Sequence, residues 1–241
     1  MINILFKKLI NKVKYNNYLS KKNNIVDVTE NYKKIIDLGF FSQEGQDKFL
    51  NKIFNKNKGY YVDIGASDGI KISNSYFFEK LGWDGIAIEA NPKQFKNLIS
   101  NRKCKCLNIC IGKKANKKIF LQIDGPAKNY SGLLDNYNYQ HLRKAHLGVY
   151  NRGGKINYLE ISVLNLNDVV ENNIIDILFI DTEGSEFDIL KSIDFNKLKI
   201  KSICVENFYK DFRIFELLKK NDYHLIAKTT HDEIYKKNPS I

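Results

Sequence analysis

Acidic residues lie at the ends of three apolar segments of this chain, and carboxylates in such positions could bind a polar ligand or take up a proton. Asp63 lies near the end of Y-Y-V-D-I, Glu89 ends G-I-A-I-E, and Asp181 directly follows D-I-L-F-I. Ligands of open α/β sheets bind in the crevice at the carboxyl ends of the parallel strands. If these segments are strands, we expect one crevice to hold all three side chains.

The first segment breaks into the turn G-A-S-D-G at 65–69, whose glycines let a ligand approach the backbone closely. The turn lacks the G-x-G-x-x-G pattern of a dinucleotide site, and the acids Asp63 and Asp68 would repel a pyrophosphate. They suit a ligand with a cationic amino group and ribose hydroxyls, and S-adenosylmethionine has both. Taken alone, the stretch is equally consistent with an ordinary acidic turn that binds no ligand.

Glu89 follows Asp63 by about 26 positions, near the spacing at which an acid after the second strand binds the ribose of a cofactor. A carboxylate suits that role because it can accept hydrogen bonds from both hydroxyls at once. The alternative is a surface glutamate ahead of the turn at Asn91 and Pro92. The position at a strand end favours the ribose role.

A second acidic group, D-T-E-G-S-E at 181–186, places three carboxylates within six residues after an apolar segment. Like charges this close repel unless a cation or a hydrogen-bond network holds them. Capping of the helix that follows explains part of the pattern, but capping does not require Asp181 at the strand end. We expect Asp181 and Glu183 to face the crevice.

Strand and helix patterns alternate along the chain, which favours a mostly parallel sheet with helices on both faces. Helices are predicted at 42–54, 72–81, 92–101, 164–170, 185–193 and 211–220, and strands at 60–64, 85–89, 104–111, 119–123, 176–180, 200–205, 223–228 and 233–235. Residues 124–155 lack clean periodicity and are predicted to be an insertion that serves as a lid or acceptor loop. Residues 1–31 are predicted to be a basic amphipathic segment and linker ahead of a domain at 32–241.

The 241 residues carry a formal charge of +12, almost all of it from lysine. Such a charge would suit nucleic acid. However, the lysines are spread along the chain, and arginine is scarce where phosphate recognition would favour it. A high content of lysine, asparagine and isoleucine is also typical of an AT-rich genome. We therefore do not expect nucleic acid as a partner.

No apolar run reaches the ~20 residues needed to cross a bilayer, and no signal peptide is recognisable. We therefore expect a cytoplasmic protein. Apolar residues between Ile2 and Val13 recur at helical spacing opposite several lysines. This basic helix is predicted to lie either on an anionic membrane surface, as a peripheral contact, or on its own domain.

Three motifs together, V-D-I-G-A-S-D-G, I-E-A-N-P and I-D-T-E-G-S-E-F-D-I-L, resemble the FkbM family of S-adenosylmethionine-dependent methyltransferases. Further matches in order, such as S-Q-E-G-Q-D-K-F-L at 42–50 and Y-S-G-L-L at 130–134, extend the resemblance over roughly 41–236. The resemblance implies an α/β, class I methyltransferase-like (Rossmann-like) fold with a seven-stranded, mostly parallel sheet whose last strand is antiparallel. One departure is Ser67, where the family often has asparagine.

The resemblance also implies roles for individual residues. Those implied to contact S-adenosylmethionine are Asp63, Gly65, Ala66, Asp68, Gly69, Glu89, Ala90, Asn91 and Asn108. Asp181 and Glu183 would face the methyl-transfer centre, and the candidates for the base that takes the acceptor's proton are Asp181, Glu183, His141 and His146. No dense set of Asp, Asn and His indicates a required metal, although Asp181 with Glu183 could bind Mg²⁺.

The activity implied is an S-adenosylmethionine-dependent O-methyltransferase that acts on a hydroxyl of a sugar, glycolipid or other small acceptor, in a process such as glycan biosynthesis. Two alternatives stay open, namely an RNA methyltransferase with the same fold and a non-catalytic scaffold that has kept it. Intact Asp63, Glu89 and Asp181 argue against the scaffold. The absence of a basic stripe interleaved with aromatic residues argues against RNA.

Overall fold

Twelve β-strands form two sheets in the computed structural model, which describes residues 13–15, 25–137 and 139–238, with only the backbone of residue 140. In chain order the strands are β1 (Val26–Asp27), β2 (Tyr60–Ile64), β3 (Asp84–Ile88), β4 (Lys105–Leu107), β5 (Cys110–Ile111), β6 (Asn116–Asp124), β7 (Gly132–Leu133), β8 (Lys155–Leu164), β9 (Ile174–Ile180), β10 (Lys199–Glu206), β11 (Tyr223–Lys228) and β12 (Asp232–Lys237). Strands β5 to β8 form the smaller sheet and the others form the larger one.

Helices lie between many of the strands along the chain. Those that follow β1 are α1 (Tyr32–Asp37), α2 (Gln46–Phe54), α3 (Tyr76–Lys80), α4 (Pro92–Asn101), α5 (Tyr139–Arg152), α6 (Leu166–Val169), α7 (Glu186–Ser192) and α8 (Phe212–Lys220). The start of α4 shows why a helix forms there. The side chain of Asn91 accepts a hydrogen bond from the N–H of Lys93, and Pro92 occupies the first turn, where an N–H would have no partner within the helix.

The larger sheet has the strand order β1-β11-β12-β10-β9-β2-β3-β4. Strand β12 is antiparallel to both of its neighbours, whereas the other neighbouring strands are parallel. The prediction of a mostly parallel sheet with an antiparallel last strand is therefore confirmed. The predicted count of seven strands is not, because the short strand β1 pairs with β11 and adds an eighth.

The central strands β2 and β9 are buried on both faces. Leu178 and Ile180 of β9 pack with α7 and α8, whereas Ile177 and Phe179 pack with α2 and α3 on the opposite face. Successive side chains of a strand point to opposite faces, so a strand covered by helices on both sides must be apolar throughout. Each fully buried aliphatic side chain contributes about 1.5–3 kcal/mol, and these two layers hold the strand ends in place.

The smaller sheet, with the order β5-β8-β6-β7, was not predicted. Strands β6 and β8 pair antiparallel along nine residues, from Asn116 opposite Val163 to Asp124 opposite Lys155. One face of this sheet packs against α5 through Leu121 and the residues around it. The sheet stands over the carboxyl end of β3 and supplies one wall of a cleft.

Three sequence-based predictions differ from the structure. The single strand predicted over 104–111 is wrong, because the chain turns at Asn108 and β4 and β5 lie in different sheets. The helix predicted over 72–81 begins only at Tyr76, since Ile72 has a φ of +53°, which helical residues do not adopt. Residues 124–155 are not irregular throughout, because they contain the 14-residue helix α5.

Most of the N-terminal segment and linker predicted at 1–31 lies outside the described residues, which include only 13–15 and 25–31 of it. Strand β1 lies ahead of the domain boundary predicted at Tyr32 and pairs with the edge of the larger sheet. Within the ranges described, no helix combines the length and the apolar character that crossing a bilayer requires.

Candidate active site

Backbone hydrogen bonds join the carboxyl ends of three strands. The N–H groups of Gly65 and Ala66 donate to the carbonyl of Ile88 at 2.9 and 3.0 Å, and the N–H of Asp181 donates to the carbonyl of Ile64 at 2.9 Å. Gly65 has a φ of +96°, and a Cβ there would lie 1.7 Å from the Asp181 carbonyl oxygen. Only glycine fits such a position. The turn after β2 is thus packed directly against the ends of β3 and β9.

The first acid of the crevice, Asp63, is 4% exposed. Its carboxylate accepts a hydrogen bond from the Ser75 hydroxyl at 2.5 Å. Burial raises the pKa of Asp63 above its ordinary value, while the Ser75 hydrogen bond and the positive charge of Arg102 act in the opposite direction. Asp63 lines the cleft, so a cationic group bound there would favour its ionised form.

Arg102 lies behind this acid with its side chain fully buried. Its guanidinium donates to the Ser75 hydroxyl at 3.1 Å, to the Tyr61 hydroxyl at 2.7 Å and to the Gly69 carbonyl at 3.1 Å. Its Nε donates to the Glu79 carboxylate at 2.8 Å. One side chain therefore joins the two ends of the turn after β2. No motif pointed to Arg102, because it follows α4 at a position without any periodic signal.

Glu89, which directly follows β3, is 9% exposed, and its carboxylate accepts hydrogen bonds from nearby backbone N–H groups. Its two carboxylate oxygens accept from the N–H groups of Ser67 at 2.8 Å and Asn91 at 2.7 Å. The side-chain amide of Asn108 donates to the carbonyls of Glu89 and Ala90 at 2.8 and 2.9 Å. Burial raises the pKa of Glu89 to about 7. Each carboxylate oxygen has two lone pairs, so Glu89 can still accept hydrogen bonds from a ligand.

The turn after β9 is held by Glu186, whose Oε1 accepts from the N–H groups of Thr182 at 3.0 Å and Gly184 at 2.9 Å. Glu183 stands in this turn with a φ of +56°. Burial, with the nearby charge of Glu186, raises the pKa of Glu183 to about 7. Burial and the charge of Glu183 likewise raise the pKa of Asp181. Both acids line the cleft, and its pKa allows Glu183 to accept a proton near neutral pH.

A further acid, Glu206, ends β10 beside this turn. Its neighbour on the antiparallel strand is Asp232. Burial raises the pKa of Glu206 to about 11, and the charges of Asp181 and Glu186 contribute to the rise. The row of strand-end acids therefore continues one strand beyond Asp181.

Helix α5 brings His141 to the turn after β9. A Cβ on Gly184 would lie only 2.9 Å from Cε1 of His141, and the His141 ring lies 4.6 Å from the ring of Tyr209. The Tyr209 hydroxyl accepts a hydrogen bond from Lys144 at 3.1 Å. His146, the other predicted histidine, is exposed on α5, and neither histidine is among the residues that line the cleft.

A cleft, partly open to solvent, lies between the larger sheet and the smaller one. The predicted site residues that line it are Asp63, Gly65, Ala66, Glu89, Ala90, Asn91, Asp181 and Glu183. The opposite wall comes from Cys110, Phe120 and Leu133 of the smaller sheet. Sequence reasoning missed this wall because it depends on strand pairing between distant residues. The Y-S-G-L-L motif was the only signal near it.

Three residues implied to contact the cofactor do not line the cleft. The Asp68 carboxylate accepts from the N–H groups of Ile70 and Lys71 at 3.1 and 2.9 Å and closes its own turn. Gly69 has a φ of +82°, and a Cβ there would lie 2.6 Å from Leu98. The side-chain amide of Asn108 donates to the backbone carbonyls of Glu89 and Ala90, as described above. Direct cofactor contact by these residues stays a prediction.

The polar groups of the cleft are compatible with a ligand that carries an amino group and vicinal hydroxyls. Asp63 and Glu89 are buried carboxylates at the ends of neighbouring strands, and Glu89 retains acceptor capacity after binding its two backbone partners. Such carboxylates suit a cation and a ribose, respectively. Across the described ranges, no three His, Cys, Asp or Glu side chains are grouped so as to hold a metal ion.

Comparison with solved structures identifies similar chains of low sequence identity. A chain in the crystal structure of a fibrillarin/Nop5p complex is 13% identical, with a TM-score of 0.40 and coverage of 76% of this chain and 74% of that one. A methyltransferase from Geobacter sulfurreducens is 11% identical, with a TM-score of 0.40 and coverage of 86% and 85%. Similarity at this level supports no conclusion about activity. No curated protein sequence matches significantly.

The family comparison is specific. The model of the methyltransferase FkbM domain matches residues 63–233, which is well over half of the 241 residues. The matched stretch begins at Asp63 and includes both acidic turns of the cleft. It ends in β12, the strand that lies between β10 and β11 in the larger sheet. This chain belongs to the FkbM methyltransferase family.

Proposed function

We propose that this methyltransferase transfers a methyl group from S-adenosylmethionine to a hydroxyl of a sugar, glycolipid or other small acceptor. The observation that carries the proposal is the cleft in which Asp63, Glu89 and Asp181, from three neighbouring strand ends, lie along one wall. A pyrophosphate is disfavoured beside these acids, whereas an amino group and a ribose are favoured. Bound S-adenosylmethionine would supply the electrophilic methyl group.

Two acids would hold the cofactor. Asp63, positioned by Ser75, would accept from the amino group of the methionine moiety. Glu89 would accept from the ribose hydroxyls while its backbone partners keep the carboxylate in place. Because these carboxylates are fixed before the ligand binds, alignment of the reacting atoms costs little additional entropy.

The turn after β9 would serve the acceptor. Direct displacement at a methyl group needs a base that takes the hydroxyl proton within hydrogen-bond reach. Glu183, with a pKa near 7, is matched to that task at neutral pH, and the adjacent Asp181 would share the proton. His141 lies against the same turn and stays a candidate, whereas His146 would need to reach the cleft from the exposed side of α5.

Calorimetry with S-adenosylmethionine tests the cofactor part of the proposal. We expect Asp63→Asn and Glu89→Gln each to weaken binding at least tenfold, because each removes a charge-assisted hydrogen bond worth about 1.5–3 kcal/mol. Asp84→Asn is the matched control, since Asp84 begins β3 at the opposite end of the sheet and is exposed. Equal affinities of all four proteins would contradict the proposed site.

Mass spectrometry tests the acceptor part. Glycans and lipids from cells with and without the active protein should differ by one methyl group, and Glu183→Gln should abolish the difference while leaving cofactor binding intact. Methylation found only in RNA would favour the RNA alternative, and salt-sensitive RNA affinity would accompany it. Intact cofactor binding without any methylated product would favour a non-catalytic role.

The predicted membrane contact of the N-terminal segment, and with it a cytoplasmic or membrane-peripheral location, stays a prediction. Residues 1–12 lie outside the described part of the chain. The proposed acceptor chemistry does not depend on that contact.

A further inference from the structure

Helix α5 packs on the smaller sheet with one face only. Ala145 and Gly148 are buried on that face, and Ala145 clusters with Leu121 and Ile123 of β6. A Cβ on Gly148 would lie 3.0 Å from the Cβ of Ala127, so the helix lies close against the layer below. Among the described residues, the opposite face of α5 has no such cover.

That opposite face presents two unusually exposed aromatic side chains. Tyr139 is 79% exposed and Tyr150 is 85% exposed, and Leu147 between them is 43% exposed. Arg143 and His146 are exposed as well. These five positions are spaced by three, four or one residue, which places them on one side of a helix. We call them the outer face of α5, and they extend over about 16 Å at 1.5 Å per residue.

The charge of the helix has one sign. Its fourteen residues contain Arg143, Lys144 and Arg152 but no Asp or Glu, and the whole chain carries +12. Lys144 is engaged with the Tyr209 hydroxyl and lies over the rings of Phe208 and Tyr209. The outer face itself therefore combines a guanidinium with tyrosines and a leucine, and it contains no acidic residue.

The neighbouring sheet surface adds apolar side chains beside one ion pair, since Glu160, directly opposite Ile119, is exposed and contacts Lys117. Tyr158 of β8 is 57% exposed and Ile119 of β6 is 42% exposed. Tyr158 is paired with Leu121 in register, so its side chain stands on the same face of the smaller sheet that α5 covers further along. The aliphatic members of this surface, Leu147 and Ile119, have no natural partner on a nucleic acid, whereas they suit the acyl boundary of a membrane.

We propose that the outer face of α5, with Tyr158 and Ile119 beside it, docks on an anionic lipid surface. Tyrosine places an apolar ring and a polar tip across the headgroup region. Arginine adds electrostatic attraction to anionic lipids, and a helix with such faces lies in the plane of the interface. The inference requires no assumption about the methyl acceptor.

A local fluorescent reporter in the full chain tests the contact directly. The chain has one tryptophan, Trp83, which is 3% exposed and common to all variants. Tyr150→Trp adds an indole to the outer face. With vesicles of phosphatidylcholine and phosphatidylglycerol, we expect its emission to shift to shorter wavelength and to be quenched by brominated acyl chains. Ile174→Trp, at the amino end of β9 and 49% exposed in the parent residue, should show neither effect.

The reporter also separates this contact from one made by the N-terminal segment. If the chain binds vesicles while the indole at position 150 stays unquenched, the outer face does not touch the lipid and the proposal is overturned. Quenching at position 150 but not at position 174 supports it, whichever other segment also binds.

Vesicle sedimentation measures the electrostatic part. Each basic residue near an anionic surface raises the affinity for it about fivefold. Charge reversal removes one attraction and adds one repulsion. Arg143→Glu should therefore weaken binding to anionic vesicles about thirtyfold. Lys199→Glu, beside Ile174 in the sheet and also exposed, should change it far less. Equal loss in both variants would show a diffuse charge effect and refute a specific face. Loss of RNA binding in Arg143→Glu with unchanged vesicle binding would assign the face to nucleic acid instead.

Discussion

Replacement of Arg102 should destabilise the part of the molecule that holds the turn after β2. The Arg102 guanidinium is fully buried and donates to Glu79, Tyr61, Ser75 and a backbone carbonyl. Methionine has a similar length and no charge. In Arg102→Met, the Glu79 carboxylate, only 11% exposed, would remain as a buried charge without its partner.

The size of the effect follows from that burial. Removal of one member of a buried ion pair costs about 3–5 kcal/mol, a large share of the 5–15 kcal/mol by which typical domains are stable. The double variant Arg102→Met/Glu79→Gln should lose less than the sum of the single changes, because no uncompensated charge remains. Lys105→Met is the matched control, since its pair with Glu171 is largely exposed and such pairs contribute about 0–1 kcal/mol.

Urea unfolding at a series of pH values provides the assay. Burial alone would raise the pKa of Glu79, but the N–H of Lys103 and the charge and hydrogen bond of Arg102 lower it from 4.5 to about 2. A carboxyl whose pKa is depressed in the folded state stabilises the protein above pH 4.5 and loses that contribution as the pH falls toward 2. In Arg102→Met this acid-dependent loss should shrink. A free energy of unfolding equal to that of Lys105→Met, with an unchanged pH slope, would refute the reasoning.

Three further outcomes are expected. Affinity for S-adenosylmethionine should rise between about pH 6 and 8, because burial raises the pKa of Glu89 to about 7 and only the ionised form accepts from both ribose hydroxyls; calorimetry of Glu89→Gln should show no such rise. Gly65→Ala should prevent stable folding, since its Cβ would lie 1.7 Å from the Asp181 carbonyl oxygen. Gly39→Ala has open space around its Cβ and should cost only the ~1–2 kcal/mol of a left-handed backbone. Thermal unfolding measures both effects. Gly184→Ala should displace the His141 ring, 2.9 Å from the added Cβ, and move its ring resonances in NMR spectra.

Sequence reasoning located the strand ends of the cleft because local patterns determine them. Asp63, Glu89 and Asp181 each follow or end an apolar run next to a turn, and parallel topology brings such ends to one edge of the sheet. These negatively charged side chains and their positions at strand ends can be recognised without knowledge of distant contacts. The same holds for α4, whose start at Asn91 and Pro92 is set by capping chemistry.

The features that the sequence did not reveal depend on contacts between distant segments. The smaller sheet exists because β6 pairs with β8, some forty residues later in the chain, and neither strand alone indicates that partner. Helix α5 has a weak pattern because its outer face carries tyrosine and leucine where charged residues are usual. The opposite placement of His141 and His146 depends on the rotation of that helix about its axis, which spacing alone does not determine.

The position of β12 has a consequence for biosynthesis. This strand is made after β10 and β11 yet lies between them, so each of those strands lacks one of its two neighbours until β12 has left the ribosome. Until then, β10 presents an unpaired edge, the kind of surface that recruits other chains. A nascent chain that stalls before Asp232 would therefore be prone to aggregate, although every residue of the cleft has already been synthesised.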